Sequence, residues 1–391
     1  MHNITIYNRI LQFDTNTKSS AFLFGPRGTG KTLWIKTTFK NSLYFDLLNT
    51  ETFNDFIARP SRLDERIPKG FKEFIIIDEV QKIPELLNEV HRLIEAKGYR
   101  FILTGSSARS LKRKGVNLLA GRALNYSMHP LTYYELGEDF CLPTALNFGL
   151  LPSIYHVDNP QHYLETYISS YLREEVLQEG LTRNLSQFAR FLETASFSQG
   201  STLNMSEIAR EIGIDRKLVG SYFSILEDLL ISYSLPIFTK RAKRRLVAHP
   251  KFYLFDPGVY RTIRPKGPLD AAEEIDGSGL ETLFLVHLRA INDYFRLGYQ
   301  LYYWRTSNQL EVDFIVYGEK GLFAFEIKRS RSISRADMNG LTAFITDYPM
   351  ARCYLLYGGE HAEYHGNICV MPFMQGIEQL MLILCDKKLK I

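Results

Sequence analysis

Eight consecutive residues near the amino terminus have the spacing of a phosphate-binding loop: Gly25, Pro26, Arg27, Gly28, Thr29, Gly30, Lys31 and Thr32. They follow an apolar run at 21–24 and precede a helix-length segment, which is the context that this motif requires. The glycines let several backbone N–H groups point at one phosphate, Lys31 reaches the β- and γ-phosphates, and Thr32 offers its hydroxyl to Mg²⁺. A glycine-rich turn without a ligand is the alternative, and this context favours a site for ATP and Mg²⁺.

Two adjacent carboxylates, Asp78 and Glu79, follow the apolar run 74–77. A buried strand delivers such residues to the edge of a parallel sheet where ligands bind. We expect Asp78 to hold the Mg²⁺ shell and Glu79 to orient or deprotonate the attacking water, because phosphoryl transfer needs both roles. The alternative is that the two acids only cap the next helix.

A further apolar run at 101–103 ends in small hydroxyl residues, including Thr104, Ser106 and Ser107. Their position after a strand places them beside the γ-phosphate, where Thr104 or Ser106 could sense hydrolysis. Either could equally be a helix N-cap.

Together these residues resemble the AAA+-type ATPases of bacteria and archaea that join a P-loop domain to a carboxyl-terminal region of uncharacterised function. Further matching positions are Asp46, the segments 119–122 and 130–131, and Glu135. The resemblance implies that Arg122 acts as an arginine finger on a γ-phosphate, usually in a neighbouring subunit, and so raises the question of a homo-oligomer. A surface arginine that caps a helix end is the alternative.

The elements that position these residues form an α/β pattern. Apolar runs at 21–24, 43–46, 74–77 and 101–103 alternate with helix-length segments, which predicts a parallel sheet. From about 131 to 185 the periodicity becomes helical. We therefore predict a P-loop ATPase domain over 1–130, a helical lid over 131–185, a winged-helix domain over 186–264 and a nuclease-like domain over 265–391.

The middle region carries a candidate DNA-binding element. Residues 205–216 have the spacing of a helix, a tight turn at Gly213 and a second helix that begins near Asp215. Five of the six residues at 240–245 are cations: Lys240, Arg241, Lys243, Arg244 and Arg245. Such a run in a wing can neutralise several phosphates of duplex DNA, whereas a solvated loop is the alternative.

Near the carboxyl terminus, residues 310–317 and 322–328 alternate between apolar and polar around a four-residue loop, which predicts a hairpin. If Tyr317 opposes Leu322, then Asp313 faces Glu326, and both lie with Glu311 and Lys328 on one face. The other face, with Val312 and Phe314 among its residues, is wholly apolar. Two opposed carboxylates repel each other. A divalent cation, Mg²⁺ or Mn²⁺, resolves this conflict, and Lys328 could stabilise a pentavalent phosphate or position water.

This hairpin resembles the core of PD-(D/E)xK nucleases, with Asp313, Glu326 and Lys328 on the matching positions. The resemblance implies a restriction-endonuclease-like α/β domain in which Glu281, on a preceding helix, supplies a further metal ligand. Glu311 stands near the position where many members have proline. An inactive domain that is retained for binding, with a Glu311–Lys328 ion pair, is the alternative.

Composition excludes several other classes of protein. The 391 residues are 45% apolar and 23% charged, which is typical of folded domains and not of disordered chains. No run is long enough to suggest a membrane span, and the amino terminus lacks a signal-peptide core, so we expect a cytoplasmic protein. The four cysteines show no CxxC spacing, and we expect reduced thiols. A net charge of +4 is too small to indicate nucleic-acid binding by itself.

Overall fold

The computed structural model describes residues 6–106, 119–172, 176, 184–239, 249–267 and 272–385. The chain forms two compact units. The first comprises Leu11–Pro130 and Asp228–Ile231, and the second comprises Met1–Ile10, Leu131–Glu227 and Ser232–Ile391. Ser107 and the basic run 240–245 lie outside the described residues, so their predicted roles stay predictions. In the described part of the chain, no helix combines the length and the apolar composition needed to cross a membrane.

A five-stranded parallel sheet forms the centre of the first unit, in the order β2-β3-β4-β1-β5. Its strands are β1 (Ser20–Phe24), β2 (Leu43–Asp46), β3 (Phe74–Asp78), β4 (Arg100–Gly105) and β5 (Ala123–Ser127). Each of the four predicted apolar runs lies in one of the first four strands, which confirms the parallel α/β sheet. Because the strands are parallel, their carboxyl ends meet at one edge, and ligands of such sheets bind there.

In the described part of the first unit, the helices that accompany this sheet are α1 (Lys31–Thr38), α2 (Thr50–Ala58), α3 (Arg62–Arg66) and α4 (Leu86–Lys97). The side chain of Asn49 caps α2 by accepting a bond from the backbone N–H of Thr52, and α4 ends at Gly98, whose φ of 68° suits a residue without a side chain. Side chains from β3, β4 and α4 fill a shared apolar core. That core holds the strand ends of the candidate ATP site in place.

The second unit begins with helices, as the periodicity from residue 131 predicts. They are α5 (Tyr133–Leu136), α6 (Leu142–Phe148), α7 (Pro160–Thr166), α8 (Leu185–Ser196), α9 (Met205–Ile212) and α10 (Arg216–Asp228), followed by α11 (Pro257–Ile263). Helix α9 ends at Gly213, whose φ is 75°, and the Asp215 side chain accepts a 2.7 Å bond from the Lys217 N–H at the start of α10. Strands β6 (Ser232–Leu235) and β7 (Lys251–Leu254) form an antiparallel pair. The order of helix, glycine turn, helix and strand is therefore as predicted.

A six-stranded mixed sheet forms the carboxyl-terminal part of this unit, in the order β12-β13-β11-β10-β9-β8. The strands are β8 (Gln300–Arg305), β9 (Glu311–Gly318), β10 (Gly321–Lys328), β11 (Arg352–Tyr357), β12 (Glu363–His365) and β13 (Ile368–Pro372). The helices are α12 (Ala272–Tyr294), α13 (Asn339–Asp347) and α14 (Phe373–Cys385). Strands β8, β9 and β10 are antiparallel neighbours, whereas β11 runs parallel to β10.

The hairpin of β9 and β10 has the predicted register, because Tyr317 pairs with Leu322 and Phe314 pairs with Phe325. Pairing between β8 and β9 shifts by one residue: Tyr302 pairs with Ile315, but Trp304 pairs with Val312. Two residues of β9, Asp313 and Phe314, thus lie opposite one residue of β8, which is the definition of a bulge.

The bulge corrects one prediction about the faces of this sheet. Phe314 and Phe325 pack in the core beside α12 and α14, whereas Val312 packs with Ile315 and Ala324 in the core beside α13. The predicted apolar face is therefore wrong at Val312, whereas its other members, Phe314, Val316, Phe323, Phe325 and Ile327, share one core. Apolar residues also cover the opposite face of the hairpin. A strand without a bulge would place Val312 and Phe314 on the same face. The same bulge turns Asp313 towards the side of Phe314, so the four charged residues of the hairpin do not share one face.

Candidate functional sites

The phosphate-binding loop connects β1 to α1, and its backbone requires glycine at several positions. Gly28 and Gly30 have φ values of 81° and 86°, which residues with a side chain rarely adopt. At Gly25, an added Cβ would lie 2.3 Å from the carbonyl oxygen of Met128, because β5 runs close beside the loop. The three glycines thus let the loop curl in front of the amino terminus of α1, as a phosphate site requires.

Lys31 lies across this loop. Its Nζ donates hydrogen bonds to the carbonyl oxygens of Gly25 (2.7 Å) and Pro26 (3.0 Å), and the Thr29 hydroxyl donates to Pro26 at 2.7 Å. The Lys31 side chain is nearly buried, so its charge is concentrated at the loop. A phosphate bound by the loop would meet this cation directly.

Asp78, at the end of β3, joins the loop to two other strands. Its Oδ2 accepts a 2.8 Å hydrogen bond from the Thr32 hydroxyl and a second bond from the Tyr44 hydroxyl, and its Oδ1 accepts one from Thr104. Burial, and then the hydrogen bond to Asp78, raise the pKa of Tyr44, so the phenol remains a donor. The hydroxyl of Thr32 beside a carboxylate fits the Mg²⁺ shell that the sequence predicts.

Glu79 follows Asp78 in a left-handed backbone conformation, with a φ of 63° that is uncommon for a residue other than glycine. Its N–H donates to the Thr104 hydroxyl at 3.1 Å, and its carboxylate accepts a bond from the amide of Gln81. The same amide donates to the Ser106 hydroxyl at 3.2 Å. The ends of β3 and β4 are therefore cross-linked through Thr104 and Gln81, and the two acids point in different directions.

Among the predicted ATP-site residues that the structure describes, Arg122 alone lies elsewhere. It precedes β5, and Ala123 pairs with Ser20 at the start of β1, whereas the phosphate-binding loop follows the end of β1. The guanidinium of Arg122 forms an ion pair with Glu95 of α4. Arg122 therefore lies at the opposite edge of the sheet from Lys31 of the same chain, and any role on a phosphate requires the site of another subunit.

A second charged cluster occupies the carboxyl-terminal sheet. Asp313 Oδ2 accepts a 3.0 Å bond from the Ile327 N–H, and Asp313 Oδ1 lies 3.1 Å from the Nζ of Lys251. The same Nζ lies 2.6 Å from Glu311 Oε1. Burial alone would lower the pKa of Lys251, but Tyr253 and the neighbouring carboxylates raise it above its ordinary value, so the amine keeps its charge.

The other acids of this cluster also have partners in the protein. Glu281, on α12, accepts a 2.7 Å bond from the Tyr253 hydroxyl, and Glu326 forms a 2.7 Å ion pair with Lys328. Burial, followed by the charge of Asp313, raises the pKa of both Glu281 and Glu326. Glu311 pairs with Lys251 and Arg305, so the Glu311–Lys328 pair considered from the sequence does not form.

These contacts bear on the predicted second metal site. Strand alternation with Phe325 and Ile327 places Glu326 on the face away from α12, whereas Glu281 lies on α12. Among the described residues, no three His, Cys, Asp or Glu side chains are grouped so as to hold a metal ion. As arranged here, Glu281, Asp313 and Glu326 do not fit a shared Mg²⁺ or Mn²⁺ ion, and a lysine ammonium contacts Asp313 instead.

Sequence reasoning missed Tyr44, Gln81 and Lys251. Gln81 follows Glu79 by two residues in a segment that also contains Lys82 and Glu85, so its type gives no distinct signal. Tyr44 lies within a strand and resembles any core tyrosine. Lys251 opens the strand-like run 252–255 as a lone cation, and nothing in its neighbours indicates the acids that it meets.

The exposed surface of the α9–α10 pair carries charges of both signs. Arg210, Arg216 and Lys217 are exposed, as are Glu207 and Glu211. The described part of this pair therefore has no strongly basic face.

The comparison with known protein families agrees with the fold observed for the first unit. Residues 17–137 match the family described as "AAA domain", residues 141–270 match a "Domain of unknown function (DUF8612)", and residues 276–375 match a "Domain of unknown function (DUF4143)". Residues 17–137 are therefore similar to AAA domains, in agreement with the parallel sheet and the phosphate-binding loop. The other two matched families carry no described function.

Relatives along most of the chain are themselves uncharacterized. One from Mycobacterium tuberculosis is 27% identical over 353 residues, covering 87% of this chain and 76% of that protein. Another, from Methanocaldococcus jannaschii, is 23% identical over 359 residues, covering 80% of this chain and 76% of that protein. Among solved structures, the Aeropyrum pernix ORC1 protein in complex with DNA is 15% identical and covers 63% of this chain and 86% of that chain, with a TM-score of 0.29. That likeness is too weak to indicate a shared activity.

Proposed function

We propose that the protein binds ATP with Mg²⁺ and hydrolyses it. The observation that carries this proposal is the Thr32–Asp78 hydrogen bond, which joins the phosphate-binding loop to the acidic end of β3. ATP binds with its phosphates on the loop and Lys31. Thr32 and Asp78 would hold Mg²⁺, which would supply positive charge to the phosphates.

Glu79 orients or deprotonates the attacking water in this proposal. Gln81 and the Thr104 hydroxyl hold it at the end of β3, so the acid is positioned before ATP arrives. Thr104, which also contacts Asp78, is the residue best placed to sense whether the γ-phosphate is present.

Two substitutions separate binding from hydrolysis. Lys31→Ala should abolish ATP binding, because the lysine meets phosphate in the ground state. Glu79→Gln should keep binding and lose hydrolysis, because the carboxylate acts on water. Equilibrium binding of a fluorescent ATP analogue and release of inorganic phosphate measure the two effects, and Glu85→Gln, an exposed acid of the same segment, is the matched control. Undiminished turnover in Glu79→Gln would remove the role assigned to Glu79.

We further propose that the state of the nucleotide controls a DNA-binding winged helix in the second unit. Support comes from the helix-turn-helix of α9 and α10, followed by the antiparallel pair β6 and β7 with the basic run between them. In this arrangement α10 is the groove-reading helix and the basic run contacts phosphates. Duplex DNA is the proposed partner.

For the carboxyl-terminal region, the order α12, β8, β9, β10, α13, β11 supports a nuclease-like domain, with Asp313 on β9 and both Glu326 and Lys328 on β10. Two functions follow from different observations. The positions of Asp313, Glu326 and Lys328 on two paired strands favour metal-dependent cleavage of DNA. The ion pairs of Asp313 with Lys251 and of Glu326 with Lys328 favour a nucleotide-gated interaction domain that cuts nothing.

A cleavage assay distinguishes the two. Labelled duplex and single-stranded DNA are incubated with the protein, ATP and Mn²⁺, and the products are separated on a gel. If the domain is a nuclease, Asp313→Asn and Lys328→Ala should abolish cutting while ATP hydrolysis continues, and Asp347→Asn, at the exposed end of α13, should cut like the unaltered protein. Absence of cutting in every form would support the interaction domain.

A further inference from the structure

Strand β7 presents two polar side chains to the acids of the carboxyl-terminal sheet. Lys251 and Tyr253 are two residues apart and so point to the same face of the strand. Lys251 reaches Glu311 and Asp313, and Tyr253 reaches Glu281. One strand outside the nuclease-like domain thus provides a hydrogen-bond or ion-pair partner to three of the four acids of this cluster. The fourth acid is Glu326.

Lys251 is almost completely buried, and its amine lies among charged and aromatic groups. The residue is 2% exposed, its Nζ is 2.6 Å from Glu311 Oε1 and 3.1 Å from Asp313 Oδ1, and the Tyr303 ring covers it at 5.8 Å. Because a buried ammonium without partners is strongly unfavourable, Lys251 and the two carboxylates depend on one another.

A divalent cation could not share this position with the ammonium. Ions of the Mg²⁺ type lie about 2.1 Å from carboxylate oxygens. An ion that bridged Asp313 Oδ1 and Glu311 Oε1 would therefore overlap the Lys251 nitrogen, which is within 3.1 Å of both oxygens.

We propose that Lys251 is an internal counter-cation that takes the metal position at Asp313, so that the carboxylate cluster binds no divalent ion while β7 is docked on it. The proposal rests on the nuclease-like assignment of the carboxyl-terminal domain and names the regulation of that site. Strand β7 belongs to the proposed winged-helix domain, so any movement of that domain that withdraws Lys251 leaves Asp313 without its counter-charge and Glu311 with Arg305 alone. Such acids attract a metal ion.

Mn²⁺ calorimetry on the full-length chain, without nucleotide or DNA, tests this inference. Lys251→Met and Lys251→Gln remove the charge and should bind Mn²⁺ at least tenfold more tightly than the unaltered protein. Lys251→Arg keeps the cation and should gain nothing, and Lys217→Met removes an exposed lysine of α10 as the matched control. Adding Asp313→Asn to Lys251→Met should abolish the gained affinity.

A second measurement uses the unaltered protein and needs no variant to fold. Amine-reactive labelling, followed by mass spectrometry, should leave Lys251 unmodified both with and without Mn²⁺. Labelling of Lys251 that Mn²⁺ induces would overturn the proposal, as would equal Mn²⁺ affinity in the unaltered protein and in folded Lys251→Met. Phosphate release from ATP, measured in the same samples, reports on the ATPase proposal independently, so failure of one is distinguishable from failure of the other.

Discussion

Thr32 and Asp78 are 46 residues apart in the sequence, and the hydroxyl of Thr32 donates a 2.8 Å hydrogen bond to the carboxylate of Asp78. The bond links the first turn of α1 to the end of β3. Both groups are oxygen ligands of the kind that Mg²⁺ prefers. Their contact means that the protein already holds together the start of α1 and the end of β3, where the metal and the phosphates of ATP are proposed to bind.

Removing the hydroxyl of Tyr44 should weaken the response to Mg²⁺. Tyr44 donates to the same oxygen of Asp78 as Thr32 does, and a hydrogen bond to a charged group contributes about 1.5–3 kcal/mol. We expect Tyr44→Phe to raise the Mg²⁺ concentration for half-maximal ATP hydrolysis by roughly tenfold. A Mg²⁺ titration of phosphate release measures this, with Tyr99→Phe as the control. An unchanged titration would show that Tyr44 does not orient Asp78.

Arg122 should act only between subunits. Because it lies at the opposite edge of the sheet from its own phosphate-binding loop, Arg122→Ala should keep ATP binding but lose hydrolysis if the proposed homo-oligomer forms. Mixing Arg122→Ala with Lys31→Ala should then restore part of the activity, since one variant supplies an intact loop and the other an intact arginine. Full activity of Arg122→Ala alone would identify it as a surface residue paired with Glu95.

Duplex DNA should bind through the basic run. Replacing Lys240, Arg241, Lys243, Arg244 and Arg245 with glutamine should weaken binding and flatten its dependence on salt. Each lost phosphate contact lowers the slope of log K against log salt by about 0.9. Fluorescence anisotropy at several salt concentrations measures the slope, and glutamine at Lys69 and Lys72 of the first unit is the control. If the unaltered protein has no salt-sensitive affinity, the run is a solvated loop.

The second unit should lose stability in mild acid through His287. This buried histidine accepts a 2.8 Å bond from the Tyr133 N–H, and burial lowers its pKa to about 4. The unfolded chain binds a proton near pH 6.5 while the folded protein does not, so stability is complete above that pH and falls as the pH decreases towards 4. Between pH 7 and pH 5 the loss should be about 2 kcal/mol.

Urea denaturation at the two pH values checks this expectation. His287→Gln cannot titrate, so its stability should change less over this range than that of the unaltered protein, even if it is less stable at pH 7. An equal loss in both proteins would assign the acid sensitivity to other groups.

The amino-acid sequence alone determined the features that depend on neighbouring residues. The phosphate-binding loop could be predicted because Gly25 to Thr32 are contiguous, and their glycines, lysine and threonine each have a local reason to be there. The register of β9 and β10 could be predicted because a short loop and an alternating pattern specify it as far as Phe314 and Phe325. In both cases the turn residues and the periodicity lie within one short segment, so the structure depends on neighbouring residues alone.

Only the tertiary structure decided which distant groups meet. Lys251 contacts Asp313 across 62 residues, and Tyr44 contacts Asp78 across 34. The bulge at Asp313 arises from pairing with β8 and turns that carboxylate towards Lys251 and away from the face of Glu326. No local periodicity encodes these contacts, because they depend on how β7 and α12 pack on the sheet. The sequence therefore specified the chemical groups, whereas packing decided that Lys251 contacts Asp313 and Glu311.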